Sequence, residues 1–192
     1  MNSRETILNA IKNNQPEQRS LPGLLFTPDN SGDAQAKFIN VLQSIGGAAH
    51  IVNSYDDIAA FILQEYGEAK RIVSWCKELI IGEAMQEYTD PHELENVDLA
   101  VITAHFAVAE NAALWVTEAL VPERVLPFIT QQLVVVVKKD DILHNMHEAY
   151  DRIGDEEYGF AAFIAGPSKT ADIEQSLVLG AHGPKTMRVF II

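Results

Sequence analysis

Beyond its N-terminal segment, the chain carries apolar residues first at helical and then at strand spacing. One helical stripe covers 36–45, and a short apolar run follows it at 49–52. A second stripe starts after Ser54, which together with Asp57 has the form of a capping box, and the apolar run 71–75 follows. This succession of helix, strand, helix and strand is typical of βαβ units.

Four further apolar runs are continuous rather than alternating. They lie at 97–103, 133–137, 160–165 and 187–192. Continuous runs are typical of strands buried on both faces, as in parallel or mixed sheets covered by helices. We therefore predict an α/β fold with a mixed or mostly parallel sheet flanked by helices.

The first 32 residues differ in composition from the rest. A short helix is predicted at 3–12, because Asn2 and Glu5 have the spacing of a capping box. The residues that follow are rich in Asn, Gln, Pro, Gly and Ser and should form an extended connector. We predict an N-terminal arm at 1–32 and a single α/β domain at 33–192. The arm packs either on its own domain or on a second copy, so a homo-oligomer is one of two alternatives.

The charge balance excludes some partners. The chain has 14 Lys and Arg against 27 Asp and Glu, a net charge of −13. Such a field repels a phosphate backbone, so nucleic acid is not expected as a partner. No apolar run approaches the ~20 residues that a membrane-spanning helix needs, and the N-terminus lacks an apolar signal core. We expect a cytoplasmic protein without a membrane span.

Cys76 is the single cysteine of the chain. One cysteine cannot form an intramolecular disulfide, and it cannot by itself hold an iron–sulfur cluster or a structural zinc. Its thiol either packs in the core or is activated by the neighbouring Lys77. No cofactor is expected to be bound by this chain alone, and a redox centre would lie elsewhere.

A glycine loop with the sequence G-P-S-K-T-A-D-I-E follows the predicted strand at 160–165. Its exposed backbone N–H groups, its two hydroxyls and its lysine could point at one anion, as helix N-termini do. The alternative is that Thr170 caps a helix whose first turn holds the two acidic residues. A P-loop is excluded because no glycine directly precedes the lysine. The candidate ligand-binding residues are Gly166, Ser168, Lys169, Thr170, Asp172 and Glu174.

A second glycine loop, G-A-H-G-P-K, lies at 180–185 between an apolar run and the terminal strand. The two loops are separated by a short segment that is predicted to be helical, so they can converge. They would then form a pocket for a small anion at the edge of the sheet, where open α/β sheets place ligands. The alternative is a turn whose histidine only hydrogen-bonds to the backbone. The candidate residues are Gly180, His182, Gly183 and Lys185.

Glu110 is a single carboxylate in the apolar segment 104–116. Such a group needs a partner. It is either a nucleophile or general base with a raised pKa, or it pairs with a lysine or backbone amides for structural reasons. His144 and His147 could reach one metal ion from a helix, but a solvated amphipathic helix is the favoured interpretation, and no metal site is predicted.

The two glycine loops together resemble the signature of the lactate utilisation protein C family, the LUD domain. The family pattern is G-P-S-[RK]-T-A-D-I-E followed by L-V-x-G-[VA]-H-G-P and a basic residue, and this chain carries each element in order. The resemblance covers about 33–192. It departs at 109–113, where the family has A-E-T-G-[ST] and this chain has A-E-N-A-A.

The resemblance implies a Rossmann-like α/β fold similar to the group of ribose-phosphate isomerase, glucosamine-phosphate deaminase and CoA-transferase. It also implies a part in a bacterial system that oxidises L-lactate to pyruvate, beside two partner proteins that carry iron–sulfur clusters. It assigns no reaction to this component, which would bind a small anionic metabolite or those partners. The alternative is a free-standing CoA-transferase-like or phosphate-binding enzyme, with Glu110 as nucleophile or base.

Overall fold

The computed structural model describes residues 2–17, 19–20, 22, 30–69, 71–83, 86, 88–170 and 178–192. In these residues the α-helices are α1 (Ser3–Asn13), α2 (Ala34–Ser44), α3 (Tyr55–Tyr66), α4 (Leu126–Ile129) and α5 (Met146–Ile153). Short 3₁₀ helices lie at Pro91–Leu94 and Lys139–Asp141. The strands are β1 (Ala48–Ile51), β2 (Ile72–Ser74), β3 (Leu99–Thr103), β4 (Phe106–Val108), β5 (Ala113–Thr117), β6 (Gln132–Val137), β7 (Ile142–Leu143), β8 (Ala161–Ile164), β9 (Lys169–Thr170), β10 (Val178–Leu179) and β11 (Thr186–Ile191).

The caps predicted for the first and third helices are present. Asn2 and Glu5 form a capping box at α1, and Ser54 and Asp57 form one at α3. Asp33 caps α2 by accepting from the backbone N–H groups of Gln35 and Ala36. Each cap satisfies backbone donors that have no partner within the helix, so the sequence determines where these helices begin.

The main sheet has five parallel strands in the order β1-β11-β6-β3-β2. The predicted α/β fold with a mostly parallel sheet is confirmed. In β3 and β6, Val101 and Val134 pack on one face of the sheet while Ile102 and Val135 pack on the other. Because both faces are buried, neither strand alternates with polar residues.

A second sheet of four strands has the order β7-β4-β5-β8. Strands β4 and β5 form an antiparallel hairpin, and β8 pairs antiparallel with β5. The apolar run at 160–165, predicted as a strand, therefore belongs to this second sheet. The hairpin leaves β5 with an open edge, and β8 occupies it.

Helices and sheets stack in layers. Ile58 and Ile62 of α3 cover one face of the main sheet. The other face packs against α2 and against the second sheet, which contributes Leu114 and Val116. The outer face of the second sheet is covered by α5, through Ala149 and Ile153. Burial of each such aliphatic side chain contributes roughly 1.5–3 kcal/mol, so these contacts dominate the stability of the fold.

The N-terminal helix is present where it was predicted, but no residue of α1 is buried. Its apolar stripe of Ile7, Leu8 and Ile11 is 52–59% exposed. The apolar patch at 24–26 in the predicted connector lies outside the described residues. The division at residue 32 stays a prediction. Among the described residues, no helix combines the length and the apolar character that crossing a membrane requires.

Candidate functional site

The two predicted glycine loops are in contact. The backbone N–H of Ser168 donates to the carbonyl of Pro184 at 2.9 Å, and the N–H of Gly180 donates to the carbonyl of Ser168 at 3.1 Å. A Cβ added at Gly183 would lie 3.1 Å from the Cβ of Ser168. We call residues 166–170 and 180–185 the glycine-loop cluster.

The cluster lies at the edge opposite to the one that was expected. The second loop precedes β11, and the N–H of Lys185 donates to the carbonyl of Gln131, just before β6, at 2.8 Å. The cluster therefore borders the amino ends of the parallel strands. Ligands in open α/β sheets normally bind outside the carboxyl ends, so the predicted placement is corrected here.

The first glycine loop ends in a short strand. Lys169 and Thr170 form β9, which pairs antiparallel with β10. The segment that Thr170 would cap, in the alternative interpretation, lies outside the described residues. The amides of Ser168 and Gly180 are already hydrogen-bonded within the cluster. Asp172 and Glu174, the acidic members of the candidate set, lie outside the described residues.

The glycines of the cluster are required by the backbone. Gly166 and Gly180 both have φ of +73°, a conformation that L side chains rarely adopt. A Cβ at Gly180 would also lie 2.3 Å from the Cγ of Lys185. The glycines thus shape the loops, whatever the loops bind.

The lysine and histidine side chains of the cluster face outward. Lys169, His182 and Lys185 are exposed. The ammonium of Lys169 lies beside the end of α2. Its Nζ is 3.7 Å from the position that a Cβ would occupy at Gly46. A cation is favourable at a helix C-terminus. The cluster presents a cationic surface rather than a closed cradle of free amides.

Glu110 lies in the turn between β4 and β5 and is exposed. Its carboxylate Oε2 accepts from the backbone N–H of Met146 at 2.9 Å, at the first residue of α5. A carboxylate at a helix N-terminus is stabilised by the free N–H groups and the helix dipole. This contact supports the alternative in which backbone amides are the partner of Glu110.

The residues that depart from the family pattern lie in the same turn. Ala112 stands where the family has glycine, and it has φ of +57°. Asn111 stands where the family has threonine, and its Oδ1 accepts from the backbone N–H of Ala113 at 3.1 Å. The side chain of Asn111 thus holds the turn, while Ala112 occupies a conformation that suits glycine.

The two histidines considered for a metal are not placed by one helix. The helix α5 begins at Met146 with Asn145 as its cap, so His144 precedes it. Within α5, Tyr150 is 63% exposed, whereas Ala149 and Ile153 are buried. The described residues contain no group of three or more His, Cys, Asp and Glu that could hold a metal ion.

Cys76 is buried beneath α3. Burial is the main reason that the pKa of its thiol rises to about 11. A thiol with such a pKa stays protonated and is a poor nucleophile at neutral pH. The packing interpretation of Cys76 is the one that the structure supports.

The residue pattern did not reveal a pocket at the opposite edge of the main sheet. It has a volume of about 480 Å³ and lies where β2, β3, β6 and β11 end. We call it the carboxyl-edge pocket. Its apolar walls include Leu120, Pro122, Val137 and Ile192, and its polar lining includes Tyr55, Trp75, Lys77, His105 and Lys138.

The side chains of His105 and Tyr55 in this pocket are uncharged at neutral pH. The Nε2 atom of His105 lies 2.8 Å from Oγ1 of Thr117. Burial lowers the pKa of His105 below its ordinary value of 6.5, so the ring is mostly neutral at pH 7. Burial also raises the pKa of Tyr55, which keeps its hydroxyl protonated.

Some charged residues of the pocket lining have an ion-pair partner and others do not. Asp141 is paired with Arg152 at 2.5 Å. Lys77 and Lys138 are exposed and have no ion pair within the described part of the chain. The indole N–H of Trp75 is buried and has no acceptor among the described residues. Unsatisfied buried donors are rare and call for an explanation.

A sequence signal for this pocket does exist. Trp75, Lys138 and His105 each come within two residues of the end of a parallel strand. The carboxyl ends of parallel strands share one edge of a sheet, so these residues belong together. The three residues lie in separate segments that share no motif, so the signal appears only when the strand ends are compared.

Comparison with known proteins shows one family consistently. The family model of the LUD domain matches residues 83–192, more than half of the chain. Lactate utilization protein C of Bacillus pumilus (strain SAFR-032) is 30% identical over 102 residues, which cover 47% of this chain and 42% of that protein. The protein of the same name from Anoxybacillus flavithermus (strain DSM 21510 / WK1) is 23% identical over 168 residues, covering 87% and 73%.

The chain spans less than two thirds of some of these relatives. Escherichia coli (strain K12) protein YkgG is 23% identical over 128 residues, covering 64% of this chain and 55% of YkgG.

Among solved structures, a DUF162 family protein from Deinococcus radiodurans is similar, with a TM-score of 0.59 at 16% identity. The match covers 82% of this chain and 95% of that one and supports the fold alone. On the family match, the chain belongs to the LUD domain family.

Proposed function

We propose that this chain is a non-redox component of a bacterial L-lactate utilisation system, which acts beside proteins that carry iron–sulfur clusters. The observation that carries the proposal is the LUD domain match, together with relatives named lactate utilization protein C that align with up to 87% of the chain. The cysteine content of this chain supports the assignment of the redox step to partners.

Oxidation of L-lactate to pyruvate removes two electrons and two protons, so an electron acceptor is needed. Iron–sulfur clusters are typically held by four cysteine thiolates, and this chain has one cysteine. That cysteine is buried, and its pKa is raised to about 11. This chain therefore cannot hold a cysteine-ligated cluster by itself, which supports the assignment of the cluster to a partner.

The glycine-loop cluster is the contact surface that we propose for this partner. Its lysines, Lys169 and Lys185, and the imidazole of His182 are exposed, and they stand on loops that the glycines fix in shape. In a chain with a net charge of −13, a local cationic surface can orient an acidic partner or a small anionic metabolite. A free-standing transferase that uses Glu110 is less well supported, because that carboxylate is bound to the start of α5.

Growth of the source organism tests the proposal. Deletion of the gene is expected to abolish growth on L-lactate and to leave growth on pyruvate unchanged, because pyruvate enters metabolism after the oxidation. A plasmid copy should restore growth on L-lactate. Undiminished growth of the deletion strain on L-lactate as sole carbon source would contradict the proposal.

A further inference from the structure

We propose that the carboxyl-edge pocket binds an organic monocarboxylate with an apolar body, whose carboxylate pairs with Lys77 and Lys138. The inference goes beyond the lactate-utilisation role and does not depend on it. It rests on the position, the charge and the lining of the pocket.

Position and size are those of a small-molecule site. Ligand pockets typically have volumes of ~300–1,000 Å³, and this pocket has about 480 Å³. Its floor is formed where the strands of the main sheet end, at Thr103, Val136 and Val137. Leu120 and Pro122, which follow β5 of the second sheet, form another wall. Walls from two sheets give the pocket a preformed shape.

The charges of the pocket fit one anionic group. Asp141 is neutralised by Arg152, and Glu78 is the other acidic residue of the lining. Lys77 and Lys138 have no ion pair within the described part of the chain, so their ammonium groups are available to an anion. On a chain with a net charge of −13, two lysines without an ion pair at one pocket favour the binding of an anion there.

The remaining lining selects the body of the ligand. Aliphatic contacts come from Leu120, Pro122, Val137 and Ile192, and the indole of Trp75 adds an aromatic wall. The neutral His105 and Tyr55 can hydrogen-bond without adding charge. Lactate, with about six non-hydrogen atoms, would leave most of such a cavity empty. A carboxylate with a longer apolar chain would fill it.

The two indole N–H groups of the chain provide a direct test. Trp75 and Trp115 are the two tryptophans, so a ¹H–¹⁵N spectrum holds two indole signals, which W75F or W115F assigns. Trp75 lines the pocket, whereas Trp115 packs against Phe163 in the second sheet. The probe is sodium hexanoate at pH 7.5, with uncharged hexanamide as the matched control.

We expect hexanoate to shift the Trp75 signal in a saturable manner and to leave the Trp115 signal in place. Hexanamide should bind at least tenfold more weakly. K77A/K138A should weaken hexanoate binding at least tenfold, whereas K139A, which changes an exposed lysine outside the pocket lining, should not. The unchanged Trp115 signal confirms that each variant is folded.

Three results would overturn the inference. They are the absence of a saturable shift of Trp75 with hexanoate, equal binding of hexanamide, and full binding by K77A/K138A. Each is measured on the isolated chain without partner proteins. Failure here is therefore distinguishable from failure of the lactate-utilisation proposal, which is tested by growth.

Discussion

Ala112 has a backbone conformation that is unfavourable for a residue with a side chain. It is buried, and it is the non-glycine residue with a positive φ in the described part of the chain. A left-handed conformation costs an L-residue roughly 1–2 kcal/mol. The surrounding turn imposes this conformation, because Asn111 and the β4–β5 pairing fix the backbone on both sides.

Replacement of Ala112 by glycine should be nearly neutral for stability. Loss of the methyl group costs about 0.8 kcal/mol and the added backbone freedom about 0.5–1 kcal/mol, while relief of the strain offsets roughly 1–2 kcal/mol. A107G, at a buried alanine of β4, has no such relief. Urea denaturation should show A112G to be about 1–2 kcal/mol less destabilising than A107G. Equal losses would mean that Ala112 is not strained.

His105 should make stability depend on pH. Because burial lowers its pKa in the folded state, the unfolded chain binds more protons once the pH falls below about 6.5. The free energy of unfolding should therefore fall as the pH drops from 7.5 to 5.5. H105Q, which keeps a polar partner for Thr117, should show a shallower fall in urea denaturation.

His50 is the matched comparison for this effect. Burial and then Arg188 lower its pKa as well, so H50Q should also flatten the profile, and the double variant should flatten it most. A profile of H105Q that superimposes on that of the unaltered protein would contradict the effect assigned to His105.

At the scale of elements, Glu110 should act as a stabiliser of α5. E110Q keeps an acceptor for the N–H of Met146 but removes the charge at the helix N-terminus. We expect a loss of about 0.5–1 kcal/mol in the free energy of unfolding and unimpaired growth on L-lactate. E17Q, in the exposed connector, is the control and should change neither the free energy of unfolding nor growth on L-lactate. Lost growth with unchanged stability would instead assign chemistry to Glu110.

Helices with local caps and strands with continuous apolar runs were predictable from the sequence. The capping residues Asn2 and Ser54 predicted the starts of α1 and α3, and continuous apolar runs predicted β3 and β6. The β9–β10 pair was not predictable, because two-residue strands carry no periodicity. The separation of β8 from the main sheet depends on the edge that the β4–β5 hairpin leaves open, which no local pattern encodes.

The candidate site was also predictable only where it depends on residues that are close together in sequence. The short separation of the glycine loops in sequence allows them to converge, and the structure shows that they are in contact. Their position at the amino ends of the strands depends on strand order, which the sequence alone did not supply. The carboxyl-edge pocket combines residues from several distant segments, so only the assembled sheets bring them together.

At the scale of the whole molecule, the two proposed binding sites lie at opposite ends of the main sheet. The carboxyl-edge pocket is lined by residues such as Lys77 and Lys138, and the glycine-loop cluster exposes Lys169 and Lys185. A component that binds a small acid at one end and a partner protein at the other would suit a multi-protein oxidation system. This division is the arrangement that the two proposals predict together.

Recovery of partners from cells tests the central claim most directly. The chain would carry an N-terminal tag, because β11 reaches Ile191 in the core, and would be purified from source cells growing on L-lactate. We predict that cysteine-rich, iron-containing proteins are recovered with it. K169A/H182A/K185A should lose them, and K12A/K37A/K139A, which alters three other exposed lysines, should retain them. Recovery of the chain alone, from cells in which the tagged form supports growth on L-lactate, would contradict the account.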